Sequence, residues 1–370
     1  MYPGRELWTN TGERAIRWLA MATMRAAVVR GNGTVSVERV PMPQQGPYDC
    51  LCRILACATC SGTDTKIIHG TFPYQRTYPG ILGHESVGEV IEVGRKVRHI
   101  AVGERFLRVC AAYPGEKLGQ YHSFWGGFAE YGVVADVRAM KEDDPASQVP
   151  SSTIYQQKIP ADAGISPADA AMLVTLKELA SFLDVIGLHS GQSLVILGAG
   201  AVAMAGAFFA KLKGASPVIV VGRRPEVEAR VRRAGADVFI NTAAEDLCRR
   251  VKEETGGTGA DYVIDAAGDL ALFSQAPALL ARGGKLASYA VNESLERTVS
   301  LASGPSLWSL VRAGPVEPEA HRYLIDLSRL GVVPFHLFYS HRMPLDRIAE
   351  AFELIWRRQA FKVVIEMEGA

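Results

Sequence analysis

The sequence has almost no net charge: 40 lysines and arginines against 39 aspartates and glutamates leave +1 at neutral pH. That balance gives no electrostatic basis for binding nucleic acid or an anionic membrane surface. Cysteine is scarce. Six residues in a chain of 370 (Cys50, Cys52, Cys57, Cys60, Cys110 and Cys248) do not make a disulfide scaffold, so the reducing cytoplasm is the expected compartment. Long apolar runs are missing too. Leu194 to Ala210 carries no charge, but it is short for a membrane span and is broken by Gly198, Gly200 and Gly206, as a buried strand, turn and helix would be. Near the N-terminus the apolar patch Ala15 to Ala22 is interrupted by Arg17 and lacks the extended core of a secretory signal. Internal repeats and low-complexity tracts are absent.

What is present divides in two. At 370 residues the chain exceeds one small core and fits two domains. Up to about residue 165 it offers short apolar runs broken by glycine and proline (RAAVVRG, CLCRILA, SVGEVIEVG, AEYGVVA), the pattern of an irregular, mostly antiparallel β domain. Then ISPADAAMLVTLKELASFLDVIG has helical periodicity, with Ser166 as N-cap and Pro167 at the first helical position. Strands and helices alternate from there (SLVILG, AVAMAGAFFAKLKG, PVIVVG, DYVIDAAG, GGKLASYAV), which predicts βαβ units and a doubly wound parallel sheet. Past Val332 short strands return, with one amphipathic helix at LDRIAEAFELIWRR and a last strand FKVVIEM. The expected division is an N-terminal extension at 1–24, a β-rich unit from 25–165 plus 332–370, and a dinucleotide-binding unit at 166–331.

The turn Gly198-Ala199-Gly200-Ala201-Val202-Ala203 follows a strand and opens a helix. Gly198 permits the tight turn, Gly200 lets the backbone approach a pyrophosphate, and small Ala203 allows close helix–strand packing. Ala201 and Val202 begin the helix whose N-terminal N–H groups face the phosphates. The second strand ends in Gly222-Arg223-Arg224, where an NAD site usually carries an acid for the ribose hydroxyls. Guanidinium groups there suit a 2′-phosphate, so NADP(H) is expected over NAD(H).

One stretch remains, Cys60 to Gly94, with Cys60, His84-Glu85 and a glycine frame around them. Together with GHESVGEVIEVG, GGFAEYGVV, GAGAVA, GADYVIDAAG, GGKL and the closing KVVI, it makes the chain resemble the zinc-type medium-chain dehydrogenase/reductase family from about Arg25 onward. The resemblance implies a GroES-like catalytic domain beside a Rossmann domain, and hydride exchange with a nicotinamide cofactor. It implies a catalytic zinc held by Cys60, His84 and Glu85. Thr63 would then touch the reacting oxygen and Lys66 would occupy the proton-relay position, either passing a proton or bonding ribose hydroxyls. Lys362 matches a position whose basic residue approaches the pyrophosphate; the other reading is a solvated lysine on an edge strand. A homodimer or homotetramer is also implied.

Three departures from the family pattern keep alternatives open. The family runs Cys-Gly-(Ser/Thr)-Asp, whereas here Ser61 is inserted in Cys60-Ser61-Gly62-Thr63-Asp64, so either Cys60 or Ser61 occupies the ligand position. Val174 stands where a further ligand or water-binding acid often sits, with Glu178 one turn later. The loop that holds a structural zinc through four cysteines has Cys110 alone, so that second zinc is not expected. Cys57 and Cys60 form a CxxC pair, but a zinc ribbon needs a second one. The expected activity is interconversion of a secondary alcohol and a ketone on a polyol, sugar or cyclitol with NADP(H). The rivals are a zinc-independent NADPH reductase of the same fold and a non-catalytic NADPH-binding protein.

Overall fold

The computed structural model describes residues 23–293 and 296–367. The expected N-terminal extension lies outside these residues except at its end, where the first strand, Thr23–Val29, already includes residues 23 and 24.

Two sheets make the β-rich unit. One runs in the order Val35–Pro41, Thr23–Val29, Gly80–Ile81, Tyr121–Ser123, Lys117–Leu118. The other runs Lys158–Ile159, Arg105–Leu107, Glu85–Val93, Asp49–Ala58, Val363–Glu366, His341–Pro344, with Tyr131–Ala135 also paired to Asp49–Ala58. The strand Val363–Glu366 therefore takes an interior place, one strand from the edge, in a sheet begun by residues three hundred positions earlier. Its antiparallel register sets Val364 opposite Ala58, and Ala58 is opposite Glu85 on its other side. That register carries Lys362 and Cys60 to the same end of the sheet as Glu85.

The third sheet is parallel throughout, in the order Val238–Asn241, Val218–Gly222, Leu194–Leu197, Ala260–Asp265, Leu280–Ser288, Ser309–Arg312. This is the doubly wound Rossmann order, with its crevice where the strand order reverses, between Leu194–Leu197 and Ala260–Asp265. Its central strands read as continuous apolar runs because helices cover both faces. The uncharged stretch 194–210 becomes the strand Leu194–Leu197, a turn, and the helix Ala201–Leu212. Among the described residues, no helix is long and apolar enough to cross a membrane.

The helix Pro167–Val185 joins the two units. Ser166 Oγ caps it by accepting from the Asp169 N–H, and Pro167 fills its first turn, as the sequence predicts. It is buried nearly all round, packing on Asp49–Ala58 and Glu85–Val93 on one side and on Ala201–Leu212 on the other. Polar side chains on such a helix need partners inside the protein.

Candidate active site

The strand Asp49–Ala58 ends in Thr59 and Cys60, after which Asp64 closes a turn from both sides. The Cys60 N–H donates to Asp64 Oδ2 at 2.8 Å and the Asp64 N–H donates to the Cys60 carbonyl at 2.9 Å. Ser61 and Gly62 are looped out into solvent between these bonds. The extra residue is thus absorbed by the turn, and Cys60 is the residue that faces inward.

Donor atoms of Cys60, His84 and Glu85 all lie within 4.8 Å of one another. Glu178 is not among them. A thiolate, an imidazole and a carboxylate with a position left open are a donor set suited to catalytic zinc. His84 Nδ1 lies 3.2 Å from Oδ1 of fully buried Asp64, an arrangement that orients the ring and leaves Nε2 for the site, 3.9 Å from Glu85 Oε1. Burial alone would depress the pKa of His84, but the charge and hydrogen bond of Asp64, joined by Cys60, hold it well above its ordinary value. By donor chemistry and orientation, the residues fit the metal.

Glu85 is engaged on both oxygens. Lys362 Nζ donates to Oε1 at 2.7 Å and lies 2.6 Å from Oε2, and Thr175 Oγ1 donates to Oε2 at 3.0 Å. This corrects the reading of Lys362 as a solvated lysine on an edge strand. It is 3% exposed, the strand that follows it is flanked on both sides, and its ammonium bonds Glu85 and Thr175. Burial works against its charge, and Glu85 with Cys60 outweighs burial and raises its pKa.

Thr63 heads the short helix Thr63–Ile68 and is half-buried. Lys66, one turn on, donates from Nζ to the Gly62 carbonyl at 3.0 Å, tying its ammonium to the looped-out turn. Val174 is fully buried and contributes no ligand atom; its neighbour Thr175 is what the helix sends to Glu85. Glu178 is held elsewhere, accepting from Arg108 Nη2 at 3.0 Å and from the Tyr289 hydroxyl at 2.9 Å. Cys57 is packed in the core, where burial pushes its thiol pKa well up.

In the dinucleotide turn, Gly198 adopts φ +118°, and a β-carbon there would stand 3.2 Å from the Ala267 backbone nitrogen. Gly200 caps the helix Ala201–Leu212, and a β-carbon on it would meet nothing, so its surface is open to a ligand. Ala201 and Val202 form the first turn and Ala203 is buried against the sheet. Gly222 has a second reason to be glycine: a β-carbon would lie 2.9 Å from the Phe239 ring and 3.1 Å from Ala199 Cβ. Arg223 beside it is exposed, and Arg224 Nη1 donates to the Arg358 carbonyl at 3.3 Å. Arg230 stacks 4.0 Å above the Phe361 ring, close enough to Arg224 for that charge, after burial, to lower its pKa. These arginines gather cationic charge at the end of the second parallel strand.

Sequence reasoning missed Asp64, Thr175, Arg108 and Tyr289. Polar residues interrupting the apolar helix 167–185 and the run Arg105 to Ala112 were the available signal, since a charge there must be buried and paired.

A Rossmann crevice joined to this donor set defines a nucleotide-dependent oxidoreductase. Residues 46–144 match the alcohol dehydrogenase GroES-like domain and residues 201–309 the zinc-binding dehydrogenase domain. The chain is 29% identical to the NADP-dependent isopropanol dehydrogenase of Clostridium beijerinckii over 344 residues, 87% of this chain and 93% of that one. It is 33% identical to the L-threonine 3-dehydrogenase of Pyrococcus horikoshii over 272 residues, 68% and 69% of the two chains. The solved structure of alcohol dehydrogenase TADH from Thermus sp. ATN1 superposes with a TM-score of 0.77 at 26% identity, covering 93% of this chain and 100% of that one. The chain belongs to the zinc-type medium-chain dehydrogenase family, and it is an oxidoreductase acting on CH–OH groups.

Proposed function

We propose that the protein interconverts a secondary alcohol and a ketone on a small polar substrate, a polyol, sugar or cyclitol, with NADP(H) and with the assistance of zinc. The observation that carries this reading is the convergence of Cys60, His84 and Glu85 within 4.8 Å. The preference for NADP(H) draws support from Gly222, which leaves no room for an acid, and from the cluster of Arg223, Arg224 and Arg230. The NADP dependence named for the Clostridium relative points the same way. The polyol class rests on the family branch in which a glutamate adjoins the ligand histidine, as Glu85 does here.

Cys60 and His84, with Glu85 beside them, would hold the zinc, which when bound supplies Lewis-acid polarisation of the reacting oxygen. The nicotinamide, when bound, supplies or accepts the hydride. Asp64 orients the His84 ring, and Lys362 and Thr175 hold the Glu85 carboxylate in place. The Thr63 hydroxyl is assigned to the reacting oxygen and Lys66 to the outward side of the proton path. Gly198, Gly200, Ala201 and Val202 receive the pyrophosphate at the helix N-terminus.

A second reading, a zinc-independent NADPH reductase of the same fold, is favoured by the engagement of both Glu85 oxygens and by Val174, which supplies no ligand. Metal analysis of the purified protein decides between them, paired with a screen of NADP⁺-linked polyol oxidation with and without chelator. One equivalent of zinc and chelator-sensitive turnover support the zinc-assisted reaction. Metal-free protein that turns over unaffected by chelator overturns it.

The proposed assembly is a homo-oligomer in the cytoplasm. Ser309–Arg312 is an edge strand of the parallel sheet, and Leu301, Leu307 and Leu310 around it are exposed, an apolar strand edge that a second copy would cover. All six cysteines are unpaired, as a reducing compartment requires.

A further inference from the structure

Arg108 is a charged residue in the apolar run Arg105 to Ala112, yet it is only 5% exposed and its backbone sits at φ +56°, a region unfavourable to residues bearing a β-carbon. Its guanidinium reaches three separate elements. Nη1 donates to the His84 carbonyl at 2.7 Å, and Nη2 donates to Glu178 Oε1 at 3.0 Å and to Glu317 Oε2 at 2.6 Å. The Trp125 and Tyr155 rings lie 4.9 and 5.7 Å from its central carbon, edge to face with each other. Glu317 is further paired with buried Lys177 at 3.0 Å. The charges therefore balance without help from the zinc site.

The carbonyl that Arg108 holds belongs to the peptide unit joining His84 to Glu85. That unit is planar, so fixing its oxygen fixes the direction in which both candidate ligands leave the backbone. We propose that Arg108 is a positioning residue of the active site. Through Nη1 it sets the His84–Glu85 peptide plane for metal binding, and through Nη2 it keeps Glu178 outside the metal set. Lysine cannot reproduce this, because an ammonium is a point charge without the flat, multidirectional fork. The inference rests on the zinc reading above.

The test compares wild type, Arg108→Lys, Arg108→Met and Glu317→Gln by chelator competition for zinc and by the visible spectrum of the cobalt-substituted proteins. Thermal melts and NADPH binding are measured on the same samples. Arg108→Met is expected to lose about tenfold or more in zinc affinity, the range seen when residues supporting metal ligands are removed. Its cobalt bands should shift while NADPH binding stays unchanged, and Arg108→Lys should move the same way. Glu317→Gln removes an ion pair of the same cluster but leaves the bond to His84, so it should lower the melting temperature and leave zinc affinity intact. If Arg108→Met does not fold, Arg108→Lys carries the comparison. Folded Arg108 variants with wild-type zinc affinity and an unchanged cobalt spectrum overturn the proposal. So does a loss in Glu317→Gln equal to that in the Arg108 variants, which would mark the role as merely structural. A wild-type protein that takes up no zinc refutes the metal reading itself, an outcome separate from these two.

Discussion

Lys362 Nζ lies 2.6 Å from Glu85 Oε2, and both side chains are almost wholly out of solvent. An ion pair in that position contributes little over a well-packed apolar pair, but removing one partner strands a buried charge. Lys362→Met is therefore expected to destabilise the protein by about 3–5 kcal/mol. Lys362→Met combined with Glu85→Gln should recover about 0.5–3 kcal/mol of that loss as coupling energy. Denaturant titrations of the four proteins in the double-mutant cycle measure it, and strict additivity would show that the pair is not coupled.

Cys60→Ala and Ser61→Ala should separate cleanly. Cys60 faces the donor set and Ser61 is looped into solvent. A ligand at a hundred times its dissociation constant stabilises the folded state by about 2.7 kcal/mol. Wild type and Ser61→Ala should therefore both melt at lower temperature after chelator treatment, while Cys60→Ala should show no chelator effect. An equal response in all three proteins would remove Cys60 from the metal set.

Arg224→Ser is a cleaner probe of cofactor choice than an acid at position 222, because any side chain on Gly222 collides with Phe239. A hydrogen bond from a charged group is worth about 1.5–3 kcal/mol, so the dissociation constant for NADPH should rise about tenfold or more. NADH binding should barely change. Fluorescence titration with both cofactors reads the difference, and equal weakening would contradict a 2′-phosphate at this place.

Glu178 gives a pH dependence of known sign. Burial foremost, then the nearby charges of Glu317 and Glu85, outweigh Arg108 and raise its pKa above the ordinary 4.5. A raised folded pKa on a carboxyl means that the folded state binds the proton more tightly than the unfolded state. Its contribution to stability is thus complete below pH 4.5 and declines as pH rises through the folded value. Glu178→Gln has no such proton, so the melting-temperature gap between variant and wild type should move in the variant's favour as pH climbs through that window. A gap constant with pH would show that Glu178 carries no such shift.

Local signals were legible and distant ones were not. The turn at Gly198, the cap at Ser166 and the alternation of strands each depend on residues a few positions apart, and the fold follows from them. The choice between Cys60 and Ser61 stayed open in the sequence, because the bond by which Asp64 closes the turn on Cys60 is not visible in the spacing. The strand after Lys362 reads as a terminal edge, and only its pairing with Asp49–Ala58 on one side and His341–Pro344 on the other reveals it as interior. Gly222 looked like a missing acid, and the Phe239 ring that also demands glycine comes from the neighbouring strand. Arg108 and Glu178 bond each other across 70 positions, a pairing that no local pattern shows.

The interior place of Val363–Glu366 also sets a timetable for synthesis. The lysine that neutralises Glu85 is 277 residues downstream of it. At about 5–20 residues per second a ribosome needs roughly 14–55 seconds to cover that distance. During this interval the nascent β-rich unit has an open sheet edge and a carboxylate without its counter-ion, while the whole nucleotide unit emerges and can fold. Closure of the catalytic half therefore follows emergence of the nucleotide unit, although that half begins first.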